Sequence, residues 1–243
     1  MKEKFSVKVL AEIAIFAAIG YVLCLLQNQL FKAIWVNGGA IGIAMVPVFI
    51  IAYRRGLVAG ILCGLVLSAV QMIGTYIYIT PMAASYNNKA IEITIVVVQV
   101  SLDYILGYTV VGFAGAFSGL YKRSKSLKGR ILWMTVGVVV GGLLKYICHV
   151  LAGYFWLNPE ADGIWGVPNG TMLYSFVYNL CVVFSMIACI PVMLLIVKFY
   201  PKFLNVHHYD EEDEVADLKA VEPADIELQT EEMIQTEIEK TEE

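Results

Sequence analysis

The feature that most constrains this chain is a series of apolar runs, each near the length needed to cross a lipid bilayer. At about 1.5 Å of rise per residue, a helix needs about 20 such residues to cross the hydrocarbon core. Runs of this kind cover Phe5–Leu26, Leu57–Ile79, Leu102–Leu120, Ile131–Phe155 and Met172–Phe199. A shorter one, Ile41–Tyr53, holds Pro47 and reads as tilted or broken. With 59% hydrophobic residues in all, a soluble domain is excluded. The expected fold class is all-α, a polytopic membrane protein built as a six-transmembrane-helix bundle.

Charge gives the orientation. Lys2, Lys4 and Lys8 precede the first run, and Arg54 and Arg55 separate the second from the third. Lys122, Arg123, Lys125, Lys128 and Arg130 lie between the fourth and fifth, and Lys198 and Lys202 close the sixth. The alternate loops hold only Lys32 and Lys89. Positive residues stay on the cytoplasmic side. Six spans with the N- and C-termini both cytoplasmic fit this alternation. The retained first span and the absence of a cleavage pattern argue against a signal peptide.

The formal net charge of −4 is a sum of opposites. From Asp210 to the end there are 15 acidic and two basic residues, whereas the chain before it has 15 basic and six acidic. Two regions follow: residues 1–205, the membrane domain, and residues 206–243, an acidic cytoplasmic tail that reads as disordered or loosely helical. Cys24, Cys63, Cys148, Cys181 and Cys189 all fall within apolar runs without metal-ligand spacing. They read as small buried hydrophobes.

Two segments leave alternatives open. The run from Ala90 to Leu120 is too long for one untilted span, and its start, Ile91–Val100, is rich in β-branched residues. Thr80–Val100 is therefore expected to be an outer-face lid, hairpin-like in form, with one long tilted helix as the plainer reading. On the first run, Ala14 and Ala18 form a small-xxx-small pair widened by Ala11. It serves either internal packing or the docking of another membrane subunit.

Polar residues then converge on one depth. Lys145 and His149 are four residues apart and share a helix face, with Gly153 and Trp156 near the same stripe. The plainer reading makes Lys145 a snorkelling side chain and Trp156 an interfacial anchor. With the topology above, however, this stripe lies in the outer half of its helix. Asp103 and Tyr104 start the fourth span from the same side, and Tyr174, Tyr178 and Asn179 start the sixth. Trp35 and Asn37 sit in an outer loop. A carboxylate, a lysine, a histidine, an amide and several aromatic rings suit an aromatic, partly cationic small molecule. No nucleotide loop, metal motif or catalytic signature is present, so neither an enzyme nor a cofactor is expected.

Taken together, Leu102-Asp103-Tyr104, Leu144–Trp156, Tyr174–Asn179 and Arg54-Arg55-Gly56-Leu57 resemble the thiamine-specific S components of energy-coupling factor (ECF) transporters. The resemblance covers about Phe5 to Tyr200. It implies a six-helix thiamine-binding subunit in a bacterial plasma membrane, working with a transmembrane coupling subunit and two cytosolic ATPases, without nucleic acid. It assigns ligand contacts to Trp35, Asp103, Tyr104, Lys145, His149, Gly153, Trp156, Tyr174 and Asn179, and partner docking to Ala14 and Ala18. In the family pattern Glu stands in place of Asp103, and the Trp lies one residue further from the glycine than Trp156 does. The acidic tail and Thr80–Val100 fall outside the pattern. Two alternatives stand beside it: an S component for another vitamin or precursor, and a self-sufficient proton-coupled carrier using Asp103 and His149.

Overall fold

The structure, a computed structural model, describes residues 6–30, 41–83, 89–155, 164–168 and 171–205. Helix α1 spans Val7–Leu30, α2 Val46–Arg55 and α3 Leu57–Ala83. A continuous helical run follows from Lys89 to Arg123. It comprises α4 (Lys89–Gln99), a π-helical turn (Val100–Ile105), α5 (Leu106–Thr109), a 3-10 stretch (Val110–Phe117) and α6 (Ser118–Arg123). Then come α7 (Leu127–Phe155), α8 (Met172–Tyr178), α9 (Leu180–Phe199) and the short α10 (Pro201–Leu204).

Val7–Leu30, Val96–Arg123, Leu127–Gly153 and Met172–Phe199 are long and apolar enough to cross a membrane, and α3 adds the shorter apolar stretch Leu57–Ile73. Large apolar side chains stay exposed along them, including Leu10, Ile15, Ile19 and Val22 of α1 and Ile187 and Leu195 of α9. In lipid such a surface carries no penalty, so the fold need not hide it.

Of the hairpin-like lid expected over Thr80–Val100, residues 84–88 lie outside the described residues, and the rest is helical. The first part, to Ala83, completes α3, and Lys89–Gln99 is helical and runs without a break into the next span. Among the described residues there is no strand, only an antiparallel bridge between Ile164 and Val167 around Trp165-Gly166. The β-branched residues were a weak guide here. In lipid or in a bundle an isolated strand leaves its backbone groups unpaired, whereas a helix satisfies them within itself.

Helix α2 is the centre of the fold. Its ten residues span about 15 Å, half a bilayer core. Val48, Phe49, Ile51, Ala52 and Tyr53 are fully buried among α1, α3, the 3-10 stretch and α9. Pro47 sits in its first turn, where a missing N–H costs nothing, so the proline starts the helix and does not break it. Gly56, with φ of 91°, closes α2 and lets α3 begin one residue later.

The starting point of α2 has a consequence. Ile41–Met45, expected to be helical, is irregular. Backbone without a helical ladder is tolerated at membrane depth only when enclosed by protein or lining a cavity. Here Gly42 N–H donates to Ser185 Oγ at 3.1 Å, Ala44 N–H to Gln27 Oε1 at 3.4 Å and Val46 N–H to the Ile43 carbonyl at 3.0 Å. The space beside this segment is the cavity described next.

On its other side α3 touches the Lys89–Arg123 run backbone to backbone. A Cβ on Gly64 would run into the Tyr108 carbonyl, and one on Gly115 would lie 2.6 Å from Leu57 Cα. The glycines therefore set how near this run, with its carboxylate, comes to the core.

Candidate functional site

A cavity of about 310 Å³ opens between the Ile41–Met45 segment and α1, α3, α5, α7 and α9. That is the lower end of the range for small-ligand sites, about 300–1,000 Å³. Of the residues picked from sequence, Asp103, Tyr104, Lys145, His149 and Asn179 line it. They come from three separate elements, and each arrives by a distinct local device.

Asp103 and Tyr104 sit in the π-helical turn, where Leu106 N–H reaches back five residues to the Ser101 carbonyl. Such a turn holds one residue more than an α-turn and shifts the following register, and π-turns often occur at functional sites. His149 and Lys145 come from α7, one turn apart. His149 Nδ1 stands 3.7 Å from Asp103 Oδ1, near enough for attraction but too far for a hydrogen bond. That nitrogen is buried and, among the described residues, has no hydrogen-bond partner. The Lys145 ammonium lies 3.6 Å from the centroid of the Tyr108 ring, with the residue only 6% exposed.

Asn179 marks the junction of α8 and α9 and is 5% exposed. Its amide nitrogen donates to the His149 carbonyl at 3.1 Å and to the Ser175 carbonyl at 2.9 Å. Both amide protons are thus used, which fixes the amide and leaves its oxygen as the acceptor for the cavity.

Gly153 and Tyr174 do not line the cavity. A Cβ on Gly153 would run into Ser175 Oγ and lie 3.0 Å from Asn179 Nδ2, so this glycine lets α8 close onto α7. Ser175 Oγ completes that contact by donating to the Val150 carbonyl at 2.7 Å. Tyr174, whose N–H is capped by Thr171 Oγ1 at 3.1 Å, stacks on Tyr178 with centroids 6.0 Å apart and planes 4° off parallel. Tyr178 is the ring in the wall. Trp35 and Trp156 lie outside the described residues.

The sequence reading missed Gln27, Gln71, Tyr108 and Ser185, all in the wall. For Gln71 a signal existed: it is a polar side chain within an apolar helix, which in a membrane points to a partner or a cavity. Gln27 was placed in a loop because the apolar pattern fades after Leu26, but the backbone ladder of α1 continues to Leu30.

The arrangement offers one carboxylate, one ammonium, one imidazole, several amides and three tyrosine rings around a small volume. Among the described residues no group of three or more His, Cys, Asp or Glu could hold a metal.

Residues 10–205 match the family described as "Thiamine transporter protein (Thia_YuaJ)". The thiamine transporter ThiT of Bacillus subtilis is 30% identical over 203 residues, covering 81% of this chain and 93% of that protein. ThiT of Lacticaseibacillus paracasei is 26% identical over 207 residues, covering 79% and 92%. A solved structure of ThiT from Listeria monocytogenes superposes with a TM-score of 0.62 at 25% identity, covering 81% of this chain and 96% of that one.

Proposed function

The chain belongs to the thiamine transporter protein family, and from that premise we propose that it is a multi-pass membrane subunit that binds thiamine on the outer side for uptake. The observation that carries the reading is the convergence of Asp103, Lys145, His149 and Asn179 on one cavity of ligand size. Thiamine joins a cationic thiazolium to an aminopyrimidine. The Asp103 carboxylate pairs with the cation or the exocyclic amine, and the Asn179 oxygen accepts from an amine. Lys145 donates to a ring nitrogen, and Tyr104 and Tyr178 stack on the rings. Trp35 and Trp156 are assigned to the same ligand from the resemblance alone.

The bundle is proposed to cross the membrane with six helical elements, α2 being the buried short one, and with both termini cytoplasmic. Support comes from the basic end. Arg54 Nη1 donates to the Phe203 carbonyl at 2.7 Å, Lys122 Nζ to the Arg54 carbonyl at 2.8 Å, and Glu12 binds Arg54. The start of α1, the ends of α2 and α6, and α10 thus share one end, the one rich in Lys and Arg. Residues 206–243 are assigned to an acidic tail on that side.

Energy is proposed to come from an ECF coupling subunit and two ATPases, the chain itself not being an enzyme. Ala11, Ala14 and Ala18 are exposed on α1, while Ala17 on the other face is 2% exposed. Exposure favours docking over internal packing, because a strip of methyls admits a second helix at close range.

Calorimetric titration of the purified chain with thiamine tests the reading. One-to-one binding without ATP is expected. Binding of a hydroxymethylpyrimidine but not thiamine would reassign the substrate. Uptake by the chain alone, without ATPases, would favour a proton-coupled carrier built on Asp103 and His149.

A further inference from the structure

We propose that Tyr108 is a positioning residue that acts on the ligand through Lys145, clamping its ammonium against the ring face so that the N–H donors are presented to the cavity. The inference rests on the binding role given above to that cavity.

Lysine ends a flexible four-carbon stem with a strongly hydrated point charge, and nothing in the stem fixes where the charge stands. At 6% exposure the Lys145 side chain has little water to hold it. Its ammonium instead lies 3.6 Å from the Tyr108 ring centroid, well inside the range of about 6 Å in which a ring quadrupole attracts a cation. One side of the ammonium is covered by the ring, and both residues line the cavity.

The ring can act as a clamp because it is itself fixed from two other helices. Tyr108 is 4% exposed. Its N–H donates to Ser68 Oγ of α3 at 3.3 Å, and its hydroxyl lies 3.1 Å from Cys24 Sγ of α1 in a hydrogen bond that either group can donate. The preceding Gly107 leaves room for the neighbouring His149, since a Cβ there would lie 3.1 Å from His149 Cε1, while its 3.6 Å to Lys145 Nζ would be ordinary contact. Three helices thus hold the tyrosine on whose ring the ammonium rests, an outlay of structure that a snorkelling lysine does not need.

A double-mutant cycle tests this. Thiamine affinity is measured for Tyr108→Leu, Lys145→Met and the double variant, with Tyr108→Phe as the conservative control. Tyr108→Leu is expected to lose about tenfold when Lys145 is present and almost nothing when it is combined with Lys145→Met, since the ring has then lost its cation. Tyr108→Phe keeps the ring face and is expected to lose clearly less than Tyr108→Leu does. Equal losses for Tyr108→Leu with and without Lys145, or equal losses for the two Tyr108 variants, overturn the proposal. A ligand-free readout separates it from the thiamine reading. In protein labelled with carbon-13 at lysine Cε, the Lys145 signal, identified by its loss in Lys145→Met, is expected upfield from the ring current. Tyr108→Leu should move it back among the other lysines. A Lys145 signal that is not upfield in the native chain refutes the clamp whatever thiamine does. An upfield signal in a chain that ignores thiamine keeps the clamp and removes the substrate assignment.

Discussion

At the basic end of the bundle, Glu12 uses both carboxylate oxygens to bind two arginines, with Arg54 Nε at 2.9 Å and Arg55 Nε at 2.8 Å. In the cavity, Asp103 stands 3.7 Å from His149, whose Nδ1 has no hydrogen-bond partner among the described residues. Both clusters are largely shielded from water, yet their charges are handled differently. The Glu12 node is saturated: Arg54 also donates to the Phe203 carbonyl and lies 5.4 Å from the Phe203 ring centroid, and Lys122 donates to the Arg54 carbonyl. It ties α1, α2, α6 and α10 together. The cavity holds acceptors and donors in place with capacity left over. A buried polar group without a partner costs stability. A site that keeps such groups retains them for a ligand that will complete them, and the comparison separates a structural charge cluster from a binding one.

The largest expected effect is on the saturated node. Glu12→Gln removes the carboxylate that Arg54 and Arg55 both bind, at side chains each less than one-fifth exposed. Breaking a fully buried pair from one side costs about 3–5 kcal/mol, and solvent screening of these part-buried side chains places the loss at or below the lower end of that range. A large fall in the denaturation midpoint is expected, with thiamine affinity of the remaining folded protein unchanged. A strong loss of affinity at constant stability would erase the distinction between the two regions.

A smaller effect, of the opposite kind, belongs to the cavity. Asp103→Asn removes one charge-assisted contact, worth about 1.5–3 kcal/mol, so affinity for the cation should fall about tenfold or more. Affinity for a neutral analogue should fall less, and the denaturation midpoint should hold or rise. Equal losses for both ligands would make Asp103 structural, like Glu12.

The smallest effect on fold and ligand is expected at α1, outside both clusters. Ala18→Trp lies on an exposed face, where substitutions usually stay within about 0.5 kcal/mol. Thiamine affinity should hold, while co-purification of the coupling subunit and ATP-driven uptake should be lost. Loss of thiamine binding would show that this face is coupled to the cavity.

The clusters were unequally legible in the sequence. Lys145 and His149 could be placed on one face because helical periodicity is local, and Asp103 and Asn179 could be brought to the same depth because topology follows from basic loops. The pairing of Glu12 with Arg54 and Arg55 spans more than 40 residues and had no local signal. Gln27 and Ser185 were hidden for a related reason: their role is to satisfy backbone N–H groups of Ile41–Met45, and that segment is irregular only because α2 begins at Val46.

By itself the sequence determined that this chain is a helical membrane protein, which residues carry charge into it, and which family it resembles. Those properties depend on residue type and on spacing within a turn or a span. The tertiary structure alone decided that α2 is enclosed, that Lys89–Gln99 is helical, that Tyr178 and not Tyr174 lines the cavity, and that Lys145 rests on Tyr108. Each of these depends on how closely separate helices approach. That distance is set by glycines meeting distant backbone and side chains, as at Gly64 against Tyr108 and Gly153 against Ser175, and no local pattern in the chain encodes which surfaces will meet.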